Sequence, residues 1–290
     1  MKKYLLLILW FSGLFFGFSQ EVTTNKDEVN EIIDELFDED LALNQLINSL
    51  SNYQLLYVSA NYNSDTYFSG RDIGINQYNI RPQITYVNSN GLFASLSGTY
   101  YSEFYPKWDV TIASLGYGNT IGKKKLFRYS TSYSRYFYAN SEDNVFSNTL
   151  NLSLGVHNKN RTIGTLISGD YLFGDDQSFQ ISSRSYIKIS LLKNKKITLN
   201  FTPQLIFIAG KQTIELSRFV FENGLISTQN YTSDNFNLYN TQISLPLQLN
   251  VNSFDFELGY NINLPSEVGD ETNLKNTSYL NFSVAYLIDL

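Results

Sequence analysis

The sequence predicts an all-β fold, a closed antiparallel transmembrane β-barrel of about 12 strands preceded by a short amphipathic helix. Three observations carry that prediction. From Tyr53 to the C-terminus polarity alternates with a period of two, the mark of strands with one apolar and one polar face. The alternating segments are joined by connections that are short and long in turn. Aromatic residues reach 16 % while charged residues stay at 17 %, which suits an apolar outer band edged by aromatic rings at two membrane interfaces.

Residues 1–19 read as an export signal and are set aside from the fold. Lys2 and Lys3 make a basic start, Tyr4 to Phe16 an apolar core, and Gly17-Phe18-Ser19 a small-x-small cleavage site. Without Lys2 and Lys3 the chain keeps 19 of its 21 Lys and Arg against 27 Asp and Glu, a charge of about −8 that argues against a nucleic-acid partner. There is no cysteine, so neither a disulfide framework nor a thiolate metal site exists. After the signal no apolar run approaches 18 residues, so no spanning helix is expected.

Residues 20–52 differ from everything after them. Val29, Ile32, Ile33, Leu36, Phe37, Leu41, Leu46, Ile47 and Leu50 recur at three- and four-residue spacing, which predicts an amphipathic helix with Asp27 as its N-cap. Its first half carries Glu28, Glu31, Asp34, Glu35, Asp38, Glu39 and Asp40. So acidic a face is wrong for lying on anionic lipid, and the helix is expected to cap the barrel mouth or to contact another protein.

Twelve alternating segments follow: 53–64, 77–88, 91–102, 108–121, 126–139, 147–158, 161–173, 178–192, 196–210, 236–252, 254–264 and 277–290. Each has roughly the 9 to 11 residues or more that cross a bilayer at a tilt. Tight turns are expected at Ser89-Asn90, Gly122 to Lys125, Lys159-Asn160, Lys193 to Lys195 and Asn252-Ser253, several of them basic. Longer joins are expected at Asp65 to Asn76, Glu103 to Lys107, Asn140 to Phe146, Gly174 to Gln177, Lys211 to Asn235 and Pro265 to Asn276, several of them acidic.

Parity assigns faces. In 254–264, Phe254, Phe256, Leu258, Tyr260, Ile262 and Leu264 oppose Asp255, Glu257, Gly259, Asn261 and Asn263. A charge facing lipid near the midplane costs about 2 to 4 kcal/mol for Lys or Arg, so the polar set must face the lumen. The same logic turns Arg81, Arg128, Asp170, Arg184 and Lys188 inward and leaves Asp109 and Arg135 unassigned. Pro82, Pro203 and Pro246 fall inside central strands, where each removes a ladder donor, and are expected to mark bulges or kinks.

In the last stretch Leu280, Phe282, Val284, Tyr286, Ile288 and Leu290 share one face against Asn281, Ser283, Ala285 and Asp289. Such an ending resembles the closing strand of Gram-negative outer-membrane β-barrels, although Leu290 stands where an aromatic residue is usual. The resemblance covers residues 1–19 and 53–290 and defines a class, not an activity. It implies outer-membrane lipid and the barrel assembly machinery as partners, with the helix and the C-terminus in the periplasm and the long loops outside.

For chemistry, His157 is the single histidine, so any Ser-His device must use it. It lies at the tight-turn end of its segment with no serine at strand spacing beyond Ser153, so an enzyme is not expected. The acidic pairs Asp175-Asp176 and Asp270-Glu271 are calcium candidates by composition alone, and no metal or cofactor is predicted. Arg81, Arg128, Asp170, Arg184, Lys188, Asp255 and Glu257 give a mixed-sign lumen, which suits a narrow or filled interior. Tyr67, Phe68, Arg71 and Asp72, with Gly70 and Gly74 permitting tight turns, form a constriction or an external contact loop. The expected function is a narrow passive conduit for small polar solutes. The alternative is an occluded structural barrel that holds a periplasmic or surface protein partner through the helix or the loops.

Overall fold

The computed structural model describes residues 54–139, 146–194, 196–211, 218–222, 225–229, 236–268 and 271–290. The predicted signal 1–19 and acidic helix 20–52 lie outside the described residues. Within them the strands are β1 (Gln54–Asn63), β2 (Asn79–Asn88), β3 (Leu92–Tyr101), β4 (Trp108–Ile121), β5 (Phe127–Tyr138) and β6 (Phe146–His157). They continue with β7 (Ile163–Gly174), β8 (Gln177–Ile187, resumed as Ile189–Lys193) and β9 (Ile197–Phe201, resumed as Gln204–Lys211). The last are β10 (Phe236–Val251), β11 (Phe254–Pro265) and β12 (Thr277–Asp289). Each pairs antiparallel with the next, and β12 closes the ring on β1 from Leu55 opposite Asp289 to Asn63 opposite Asn281. Ring closure excludes an open sandwich, and it leaves almost no unpaired edge inside the wall.

Alternation places side chains as the pattern requires. On β11, Phe254, Leu258 and Tyr260 are exposed on the outer wall while Asp255, Glu257, Asn261 and Asn263 are buried inside. On β12, Leu280, Phe282 and Tyr286 face out, and Asn281, Ser283, Ala285 and Leu287 face in. Aromatic contacts edge the outer band near both ends. Tyr62, Tyr78 and Tyr100 form a chain of rings 5.7 and 6.4 Å apart at the loop end. Tyr117–Tyr129 and Phe254–Tyr286 lie at the other end, which carries the start of β1 and the close of β12 and is called the terminus end here.

Asparagines build the tight turns at the terminus end. Asn88 Oδ1 accepts from the N–H groups of Asn90 and Leu92, Asn158 Oδ1 from those of Thr162 and Ile163, and Asn194 Oδ1 from those of Lys196 and Ile197. One expected long join is short. Phe173 pairs with Gln177, and the Gly174 N–H donates to the Asp176 carbonyl, so only Asp175 and Asp176 connect β7 to β8. The join 211–235 carries a hairpin, Arg218–Glu222 pairing with Leu225–Gln229.

The prolines do not prevent closure. Pro203 separates the two parts of β9, and the β9–β10 ladder passes from Phe201 opposite Leu247 to Gln204 opposite Ser244, so it omits Pro203 and Pro246 together. Both prolines fall in that one gap, and both carbonyls still accept, Pro246 O from the Thr202 N–H of β9 and Pro203 O from the Ile187 N–H of β8. Pro82 sits in a similar gap between β2 and β3. Of the two unassigned charges, Asp109 is the extra residue of a bulge between β3 and β4. Arg135 faces outward on β5 and donates to Ser147 Oγ and Asn148 Oδ1 of β6.

Candidate functional site: the lumen and its two closures

At the loop end the segment between β1 and β2 folds back over the barrel mouth. Tyr67–Phe68 pairs with Arg71–Asp72 in a miniature hairpin whose turn is Ser69-Gly70, with φ values of 48° and 80°. A Cβ on Gly70 would strike the Asn240 side chain of β10, so glycine is required both for the turn and for the close approach. The Gly70 carbonyl accepts from Thr277 Oγ1 of β12 at 2.8 Å.

Arg71 locks the hairpin in place. Its guanidinium meets Glu271 through Nε and Nη2 at 2.8 to 3.1 Å and also donates to the carbonyls of Ser69, Tyr239 and Ser266. Both side chains are buried, at 8 % and 3 % exposure. Sequence reading set Arg71 beside Asp72, but Asp72 instead accepts from the Gly74 N–H. Glu271 is engaged by Arg71 and by the Val268 N–H, which removes it as a calcium ligand. Asp270 lies outside the described residues, and among the described residues no cluster of three or more His, Cys, Asp or Glu is placed to hold a metal.

Tyr67 points inward, its hydroxyl hydrogen-bonded to Asp65 Oδ2 at 2.9 Å and its ring against Tyr279. Burial first, and then the Asp65 hydrogen bond and charge, push this phenol well above the usual tyrosine range. The neutral hydroxyl is therefore favoured in the fold, and its contribution is present below the ordinary tyrosine pKa and lost only as pH rises beyond it. Phe68 remains exposed on the hairpin's outer side.

Below the hairpin a cavity of about 250 Å³ lies inside the wall. Arg81 of β2, Arg184 of β8 and Glu257 of β11 line it with Gln204, Gln242 and Tyr279. Glu257 accepts from Asn281 Nδ2 at 2.8 Å and from Gln248 Nε2 at 3.1 Å. Gln242 Nε2 donates to Asn261 Oδ1 and to the Tyr279 hydroxyl. Tyr279 lies within electrostatic reach of Arg81, Arg184 and Glu257, which brings three strands' worth of charge around one phenol.

The terminus end is packed. Leu55, Tyr57, Val87, Phe93 and Leu287 are buried inside the ring, with Asp255 and Arg128 at 0 % and 2 % exposure. Asn250 Nδ2 donates to Asp255 Oδ1, and Arg128 lies across Gly155 so closely that a Cβ there would overlap it. The seven lumen candidates thus separate. Arg81, Arg184 and Glu257 line the cavity, and Arg128 and Asp255 belong to the packed layer. Asp170 is bound to Asn151 Nδ2 on the inner wall. Lys188 does not line the cavity: it sits at the rim, where β8 leaves β7, and its N–H donates to the Thr162 carbonyl. Beyond it Ile189–Lys193 pairs only with β9 among the described residues.

His157 ends β6 with Nδ1 2.9 Å from the Asn158 carbonyl, which places its proton on that nitrogen. Ser153 is engaged elsewhere, with Ser168 Oγ and Asn151 Oδ1. Tyr279 escaped sequence reading, and Glu271 was weighed there only as a calcium ligand, not as the partner of Arg71. Tyr279 shares the inward parity of Asn281 and was legible in principle, whereas nothing local ties Glu271 to Arg71.

No protein-family model and no curated protein matches the sequence. Solved structures do resemble it. The NanC porin is 11 % identical over 80 % of this chain and 98 % of its own, with a TM-score of 0.47. An outer membrane channel from Pseudomonas putida F1 is 10 % identical over 83 % of this chain and 97 % of its own, with a TM-score of 0.45. LpxR from Salmonella typhimurium is 8 % identical over 80 % and 99 %, with a TM-score of 0.43. No residue role is carried over from any of them. On its own geometry, a closed ring of 12 strands with an apolar outer band and a polar interior, the chain is a transmembrane β-barrel of the outer-membrane type.

Proposed function

We propose that the protein is a non-enzymatic conduit for small polar solutes across the outer membrane of a Gram-negative cell, gated by the in-folded loop between β1 and β2. The observation that carries this reading is the polar cavity at mid-barrel, beneath a hairpin whose main tie to the wall is the buried ion pair Arg71–Glu271. A purely structural barrel gains nothing from a roomy polar interior, since filling it with apolar side chains would bury more surface. A hairpin docked through Arg71, its Glu271 partner and the Thr277 hydrogen bond has two discrete arrangements available, docked and released.

The terminus end would face the periplasm and the loop end the exterior. Supporting this orientation are the tight basic turns Gly122 to Lys125 and Asn158 to Thr162 at one end and the longer connections at the other. Outer-membrane lipid would contact the apolar band, and the helix predicted for 20–52 would stand at the periplasmic mouth. One observation favours a second reading: the layer of Leu55, Tyr57, Val87, Phe93 and Leu287 fills the terminus end, as in an occluded barrel that holds a periplasmic or surface partner.

Planar-bilayer recording separates the two. Stepwise currents are expected from folded protein, with a larger open fraction for Arg71→Ala. Silence from correctly folded wild type, Arg71→Ala and a variant lacking residues 65–76 would overturn the conduit and select the occluded barrel.

A further inference from the structure

Resting on the conduit reading, we propose that the mid-barrel cavity recognises a small anion bearing a carboxylate group, and that this is the class of solute the barrel selects. Three features of the lining lead there. The first is charge. Arg81 and Arg184 face the cavity against a single carboxylate, Glu257. With Glu257 ionised the lining is net positive by one, and with Glu257 protonated by two, so its sign does not depend on that proton. A cation would enter against this field, whereas an anion is attracted, and inside a low-dielectric wall the preference is far stronger than in water.

The second feature is geometry. A guanidinium presents a planar fork of donors that matches the two oxygens of a carboxylate. The two forks come from β2 and β8, on well-separated arcs of the ring, so they approach the cavity from different sides. Glu257 already accepts from Asn281 and Gln248, amide donors that hold its charge in place on β11. Gln204, Gln242 and Tyr279 add neutral polar groups suited to the hydroxyl or carbonyl groups of a small organic acid.

The third feature is size. A volume of about 250 Å³ lies near the small end of the range for ligand pockets. That is room for a small organic solute of a few carbons. The hairpin above, with Arg71 turned away from the cavity onto Glu271, limits entry without adding to the site.

The test uses the full chain folded in detergent, with heat-dependent gel mobility as the check of folding. Isothermal titration calorimetry compares lactate with glycerol, an uncharged probe of similar size, with ethanolamine as a cation and with glycine as a zwitterion. Lactate is expected to bind, and glycerol and ethanolamine are not. Arg81→Gln and Arg184→Gln should each weaken lactate at least tenfold, while Glu257→Gln keeps or tightens it. Equal binding of lactate and glycerol, undiminished lactate binding in Arg184→Gln, or tighter binding of glycine than of lactate would overturn the proposal. Should an arginine variant fail to fold, the wild-type reversal potential in a KCl gradient decides: anion selectivity supports the site and cation selectivity overturns it. Currents without lactate binding would remove the site and leave the conduit, and lactate binding without currents would do the reverse.

Discussion

Arg71 carries the loop-end closure, and its energetics follow from burial. Its guanidinium and the Glu271 carboxylate are both withdrawn from water, so removing either leaves the other as an uncompensated buried charge. Breaking a buried pair in this way costs about 3 to 5 kcal/mol, whereas replacing both members with apolar side chains of similar volume can be nearly neutral. Arg71→Ala and Glu271→Ala are therefore each expected to release the hairpin, and Arg71→Met with Glu271→Met to release it less than either single change. Limited proteolysis within residues 64–78 reads the release, and cleavage rates that simply add across the double-mutant cycle would show that the pair does not hold the hairpin. The glycines of this loop were legible in sequence because only the backbone decides where φ becomes positive, as at Gly70 and Gly74. The partner of Arg71 was not, because 200 residues separate it from Glu271 and only ring closure brings them together.

Strands show the opposite balance. Period-two polarity assigned the inner and outer faces of β11 and β12 without knowledge of their neighbours, because successive side chains of any strand must point to opposite sides. Leu258→Arg tests that assignment directly. Leu258 faces lipid next to lumen-facing Glu257, and a cation there is expected to cost about 2 to 4 kcal/mol in urea unfolding from lipid vesicles. A loss below about 1 kcal/mol, the range of interfacial positions, would mean that Leu258 does not face the hydrocarbon core. Alternation failed at Asp109, where a bulge inserts one residue, since a bulge is a property of the pair of strands and not of either one. The paired gap at Pro203 and Pro246 has the same character. Each proline alone looks like a broken ladder, and only the register shows that the two share one gap, with Pro246 opposite Thr202 and both proline carbonyls still bonded.

The molecule as a whole is defined by the β12–β1 seam, where nine residue pairs close the ring. A closed ring leaves almost no strand edge, only Ile189–Lys193 among the described residues, from which SDS can peel the wall, so the folded chain should resist the detergent until heated. Unboiled samples are expected to run as a compact species on gels and boiled ones at the mobility of the 33.2 kDa chain, or of the slightly shorter mature chain after signal cleavage. Identical mobility with and without heat, from protein that sediments with membranes, would contradict a closed barrel.

By itself the sequence determined that this chain makes strands, that about 12 of them cross the membrane, and, apart from Asp109, Arg135 and Lys188, which charged side chains face inward. Those properties follow from local geometry, since a strand's pleat and a bilayer's thickness act on each segment separately. Tertiary structure alone decided what the inward side chains do once they are inside. Arg81, Arg184 and Glu257 converge on one cavity, Arg128 and Asp255 close the opposite end, and Arg71 turns to Glu271. Their positions depend on strand stagger around the ring, which brings together residues that no local pattern relates.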